Sequence, residues 1–359
     1  MDNTNQRRIP FNGEIWLFLR GLIIGKILTI LVLGGVAWWL LRPYTLVRKN
    51  TNVATSTQSL NPGSPVVSNF QSVANVPVAA ANYGGSVAWA PIRQLIDSQI
   101  QSDRPELQLR YQDPNNSTPS SSSGIRMLLD GKLDFAQSSR PLTDTEYSLA
   151  KQKGFTLEQR QVGIDGIAVV VNPSLQVPGL TVDQLQQIYL GQITNWKQVG
   201  GPDLPITPFS QRLEKADTPI FLSNKNLQSL PLGSNVKYVS SSTEAIRQVS
   251  KIPGGVYYAS ARAVVPQCTV KPLPLGLTST KLISPYTESL VTPEQCPRQR
   301  NQINTEAIKN GSYPITTNLF VIIKQNNGQA QQIGEAYAKL LLTDQGQEAI
   351  ERAGFAGVR

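Results

Sequence analysis

The sequence predicts an α/β body with mainly parallel sheets, carried behind one apolar segment and a polar tether. Three observations predict it. From Gly84 onward, short apolar runs of strand length alternate with runs of helical period. Residues 21–41 are predominantly apolar and carry one charge, Lys26. Residues 43–82 are rich in Asn, Ser, Thr, Pro and Val and lack apolar periodicity, as a flexible tether does.

The apolar segment comes first. Its length suits a bilayer, which needs about 20 residues of helix, and Lys26 near its start can snorkel to the interface. Trp38 and Trp39 stand near the far end, where an aromatic belt lies. A cleaved signal peptide is the alternative. Against it, no small-x-small site follows Leu41, where Arg42-Pro43-Tyr44 stands instead. The division expected is an N-terminal segment 1–20, a transmembrane anchor 21–41, a linker 42–82 and a folded body 83–359.

Within the body, Val87, Ile92, Leu95, Ile96 and Ile100 fit one face of a helix, and residues 107–111 alternate as a strand. Residues 125–129 read as a short helix ending at Gly131, and Phe135-Ala136 as a buried strand. The run Ile167-Ala168-Val169-Val170-Val171 reads as a strand buried on both faces, stopped by Asn172-Pro173. Helices follow at 182–189, capped by Thr181, and at 245–249. Strands are expected at 256–258 and 319–323, and helices at 332–342 and 345–353.

Composition excludes much. The net charge is +9, but residues 1–50 hold seven basic and two acidic residues, more than half of the excess. The charge therefore belongs to a membrane flank rather than to a nucleic-acid surface. Histidine is absent, so no Ser-His-Asp triad, histidine base or His-containing zinc site exists here. The two cysteines, Cys268 and Cys296, make neither a four-cysteine metal site nor a CxxC pair. Acids such as Asp134, Asp144 and Asp165 are scattered, and Asp134 and Asp165 read as structural. No enzyme chemistry is expected of the chain, and it calls for no cofactor or metal.

The informative feature is a recurring hydroxyl-led helix start. Gly84-Gly85-Ser86 precedes the first helix, Ser121-Ser122-Ser123-Gly124 the second, and Thr218-Pro219 precedes the apolar stretch 220–222. Such starts present free N–H groups and a positive dipole end to an anion. Each alone is equally an ordinary N-cap. Arg140 and Arg212 offer forked donors to a tetrahedral oxyanion, or are solvated surface charges.

The order of these motifs resembles the phosphate-binding, PstS-like substrate-binding proteins of ABC transporters. The resemblance rests on Ser121-Ser122-Ser123-Gly124-Ile125 followed by Gly131-Lys132-Leu133-Asp134-Phe135-Ala136-Gln137-Ser138-Ser139-Arg140-Pro141-Leu142. It rests also on Ile164-Asp165-Gly166-Ile167, on Gln187-Ile188-Tyr189-Leu190-Gly191-Gln192-Ile193-Thr194-Asn195-Trp196, and on Leu342-Thr343-Asp344-Gln345-Gly346. It implies a two-lobed periplasmic-binding-protein fold of type II with two crossover strands. One lobe would be 83–168 with 318–359, the other 169–317.

It also implies a phosphate site. Carried over residue by residue, this would comprise Ser86 and Val87, Ser123 and Gly124, Ser139 with the adjoining Arg140, Arg212, and Asp217 with Thr218. Where the family has Ser-Gly-Thr, this chain has Ala216-Asp217-Thr218, and Pro219 removes an N–H donor. The function implied is delivery of phosphate, or a related oxyanion, to ABC permease subunits from the outer side of the cytoplasmic membrane, without nucleic acid. The alternative is a ligand sensor or scaffold of the same fold whose anion binding is altered or lost. In that compartment Cys268 and Cys296 are a disulfide candidate, two buried thiols being the alternative.

Overall fold

The computed structural model describes residues 69–359, apart from 116, 213–216, 218, 222–229 and 293. The expected anchor at 21–41 and most of the linker lie outside the described residues. Among those described, no helix is long and apolar enough to cross a membrane.

The chain order is β1 (Ala79–Gly85), α1 (Ala90–Asp103), β2 (Leu107–Tyr111), α2 (Ser121–Leu129), β3 (Phe135–Ser138), α3 (Asp144–Gln152) and β4 (Thr156–Val171). There follow β5 (Leu180–Thr181), α4 (Val182–Tyr189), β6 (Thr207–Gln211), β7 (Lys237–Val239), α5 (Ser242–Lys251), β8 (Gly255–Ser260) and α6 (Ala261–Val264). The last are β9 (Lys271–Leu273), β10 (Leu275–Thr278), β11 (Lys281–Ile283), α7 (Thr305–Lys309), β12 (Thr316–Gln325), α8 (Gln329–Leu341) and α9 (Asp344–Arg352).

The main sheet runs β2-β1-β3-β12-β4-β8-β6-β7, with β9 also on β4. Pairing is parallel at either side, β1 with β2 and β3, and β6 with β7 and β8. At the centre it is antiparallel, because β4 carries the chain out of one lobe and β12 brings it back. Residues 156–166 of β4 pair with β12, whereas Ile167 to Val171 pair with β8 and β9. One strand thus belongs to both lobes, and the side chains around its midpoint form the floor between them.

Each lobe has its own core. In the first, Ile92, Ile96 and Ile100 are fully buried along one face of α1, the four-residue spacing of a helix set against a sheet. Tyr83, Phe135 and Tyr337 stack there, Phe135 lying 5.2 Å from Tyr83 and 4.4 Å from Tyr337 between centroids. In the second, Tyr189, Trp196 and Tyr258 bury against the apolar face of β4. Cys268 and Cys296 are joined as a disulfide with Cα atoms 5.7 Å apart, within the span such a bridge requires.

The folded body begins earlier than residue 83. Phe70 is fully buried, Val73 nearly so, and β1 starts at Ala79 between β2 and β3. The Phe70 N–H donates to Gln345 Oε1 and Arg104 donates to the Phe70 carbonyl, which ties this segment to both ends of the lobe. The alanines at 79–81 have no apolar/polar alternation, so the strand is invisible to periodicity.

Candidate functional site

Two glycines set the position of the first helix start. A Cβ on Gly124 would stand 2.4 Å from the Gly85 Cα, and one on Gly85 would stand 2.1 Å from the Gln137 carbonyl oxygen. Only glycine permits this approach, and Gly85 also has a φ of 134°. The result brings the end of β1, the start of α2 and the end of β3 together. The Ser86 Oγ lies 2.9 Å from the Ser139 Oγ, which lies 3.3 Å from the Ser121 Oγ; the Ser139 N–H donates to that Ser121 hydroxyl. Behind them Arg93 donates to the Ser86 carbonyl and to Gln137 Oε1, fixing the loop from the lobe interior.

This serine corner opens on a cleft of about 450 Å³ between the lobes. From the second lobe, the start of α5 faces it with Ser240, Ser241 and Ser242, and β8 contributes Tyr257, Tyr258 and Ser260. The floor is formed by Asp165, Ile167 and Thr317 from the crossover strands, with Arg262 beside them. Asp165 is fully buried, and burial pushes its carboxyl up to about 7 against the opposing effects of the Ser260 hydrogen bond and the Arg262 charge. Hydroxyl groups dominate the polar lining. Such a surface hydrogen-bonds and orients a ligand but contains no histidine or thiol to act as base or nucleophile.

Among the residues expected from the sequence, Ser86, Val87, Ser139 and Asp217 line the cleft. The others are placed differently. The second helix starts at Ser121, not at Ile125, so Ser123 and Gly124 lie inside its first turn. The Ser123 hydroxyl accepts from the Ser120 N–H in a capping box, and the Gly124 N–H donates to the Ser120 carbonyl. Capping and close packing, not cleft lining, account for this pair.

Arg140 is only 3% exposed and is not among the residues that line the cleft. Its Nε donates to Asp217 Oδ1 at 2.8 Å, Nη1 to Glu146 and the Pro141 carbonyl, and Nη2 to Glu146 and the Ser122 hydroxyl. All five guanidinium N–H groups are engaged, so none is left for a ligand. Burial opposes the Arg140 charge, but the hydrogen bonds of Glu146 and the charge of Asp217 outweigh it and raise its pKa. Asp217 also accepts from the Ser122 N–H at 3.3 Å, which sets a carboxylate against the start of α2. Arg212 is exposed and lies over the Tyr238 ring, 4.4 Å from its centroid, outside the cleft lining. Thr218 lies outside the described residues.

Sequence reading missed Ser121 as a cleft residue, the serines at 240–242, and Thr317. The serine run before α5 repeats the texture of the run before α2 and was a usable signal. Thr317 carried none, because only strand register sets it opposite Asp165.

Comparison with known proteins agrees with this architecture. A curated phosphate-binding protein PstS from Staphylococcus haemolyticus is 23% identical over 278 residues, covering 76% of this chain and 78% of its own. A PstS from Borreliella burgdorferi is 26% identical over 292 residues, covering 77% and 89%. A solved putative phosphate ABC transporter substrate-binding protein from Clostridium perfringens, with bound phosphate, superposes with a TM-score of 0.59. It is 20% identical and matches 78% of this chain and 100% of its own. An ABC-type phosphate transport receptor from Vibrio cholerae gives 0.58 at 22% identity, covering 78% and 100%. At these identities the structural likeness speaks for the fold alone. The sequence model of the PBP superfamily domain matches residues 85–345, most of the chain, and the chain therefore belongs to the PBP superfamily.

Proposed function

We propose that this chain is an extracytoplasmic solute-binding protein, held in the cytoplasmic membrane by residues 21–41, whose cleft takes phosphate or a related oxyanion for an ABC permease. The observation that carries the reading is the serine corner. Three hydroxyls from three different elements converge beside a helix start, as donors to one tetrahedral anion do. Hydrogen bonds to a charged group contribute about 1.5–3 kcal/mol each. The printed functions of the PstS relatives support the same ligand. Titration calorimetry of the full-length protein in detergent, with phosphate, sulfate and arsenate, tests it. One phosphate should bind per chain, at least tenfold more weakly in Ser139→Ala. No heat from any of the three would overturn the reading.

A second reading, a sensor or scaffold with altered anion binding, is favoured by Asp217. Its carboxylate already bonds the Ser122 N–H and Arg140, so a resident anion stands beside the serine corner. A dianion arriving there meets a like charge. If the wild type binds no oxyanion while Asp217→Gly binds phosphate, the resident carboxylate has disabled uptake and the second reading holds.

A further inference from the structure

The floor of the cleft holds polar groups that no lone oxyanion at the serine corner explains. Thr317 and Asp165 are register partners on the antiparallel pair β12 and β4, so their side chains leave the sheet on the same face, about 5 Å apart at Cβ. Both line the cleft. Asp165 is 1% and Thr317 5% exposed, and the Thr317 hydroxyl has no hydrogen-bond partner among the described residues. Leaving a buried hydroxyl unpaired is costly, so its retention points to a partner that arrives with the ligand.

The carboxylate is also under-used. One oxygen of Asp165 accepts from the Ser260 hydroxyl at 2.9 Å. Among the described residues no cation forms an ion pair with it, and Arg262 acts on it through its charge. A carboxylate oxygen beside a hydroxyl is complementary to an alcohol, which donates to the first while accepting from the second. Around them Ile167, Pro91 and Ala263 supply apolar surface suited to the C–H faces of a carbon skeleton. The cleft volume falls in the range that encloses small organic ligands, about 300–1,000 Å³.

We infer that the cleft selects a phosphate monoester of a polyhydroxy compound, a sugar phosphate, with the phosphoryl group at Ser86, Ser121 and Ser139 and a sugar hydroxyl between Asp165 and Thr317. The inference rests on the oxyanion reading of the serine corner and names what the phosphoryl group is attached to. The hydroxyl uses both groups together.

Calorimetric titration of the full-length protein in detergent with a hexose 6-phosphate, the unphosphorylated hexose and inorganic phosphate tests this. The ester should bind at least tenfold tighter than inorganic phosphate, and the free hexose should show no binding. Thr317→Val, which keeps the shape and removes the hydroxyl, should lower the ratio of ester to phosphate affinity at least threefold. Asp165→Asn should lower it further, and if that variant does not fold, Thr317→Val decides alone. Inorganic phosphate binding as tightly as the ester, or an unchanged ratio in Thr317→Val, would overturn the inference and leave the oxyanion reading standing. Absence of binding by phosphate and ester alike would overturn both.

Discussion

Arg140 and Arg212 look alike in the sequence and are opposites in the structure. Arg140 is buried with every N–H engaged, and it joins Glu146 of its own lobe to Asp217 across the cleft. Arg212 lies exposed over Tyr238. An arginine beside a hydroxyl-rich motif therefore is not by itself an anion donor. What decides is whether carboxylates have already saturated its fork. Asp165 extends the contrast, being a buried carboxyl with no ion-pair partner among the described residues.

Removing Arg140 should have the largest effect. Arg140→Ala leaves Asp217 and Glu146 without their cation, and breaking a buried pair from one side costs about 3–5 kcal/mol. Urea denaturation of the full-length protein measures this, and a loss below about 1 kcal/mol would place the pair among weak surface contacts.

The contrast with Asp165 sharpens through pH. Burial raises its folded pKa to about 7, above an unfolded value near 3.9. The native state then holds a proton that the unfolded chain has released, and stability declines as pH rises between those values. Asp97, pushed up to about 6 by burial, contributes with the same sign but is common to wild type and variant. Asp165→Asn should therefore lose less stability between about pH 5 and pH 8 than the wild type. Parallel profiles in the two proteins would show that Asp165 is satisfied in the fold.

Arg212→Ala should do least. An exposed cation over a tyrosine contributes about 0.5–1 kcal/mol. Oxyanion affinity should not change, because Arg212 is outside the cleft lining. A tenfold loss of phosphate affinity would return it to the site and undo the comparison.

Much of the fold was legible where one face alone is buried. Ile92, Ile96 and Ile100 announced α1, and Thr181 announced the capped start of α4. Residues 156–166 of β4 escaped notice because their polar side chains bond across strands: Glu158 accepts from Gln325, and Gln161 donates to Asn318. Alternation fails when polar groups satisfy each other inside a sheet. In the site, Ser86 and Ser139 lay in motifs that sequence shows directly. The Arg140–Asp217 pair joins residues 77 apart, and Thr317 meets Asp165 only through antiparallel register. Those are consequences of tertiary placement, and no local pattern encodes them.

The account's central claim is that the serine corner is where an oxyanion is held. A crystal structure of the full-length protein grown with phosphate tests it most directly. The account predicts a phosphoryl group within hydrogen-bond distance of the Ser86, Ser121 and Ser139 hydroxyls, with Arg140 still bonded to Asp217. Phosphate held instead by Arg212 beside Tyr238, with the serine corner closed upon itself, would contradict it.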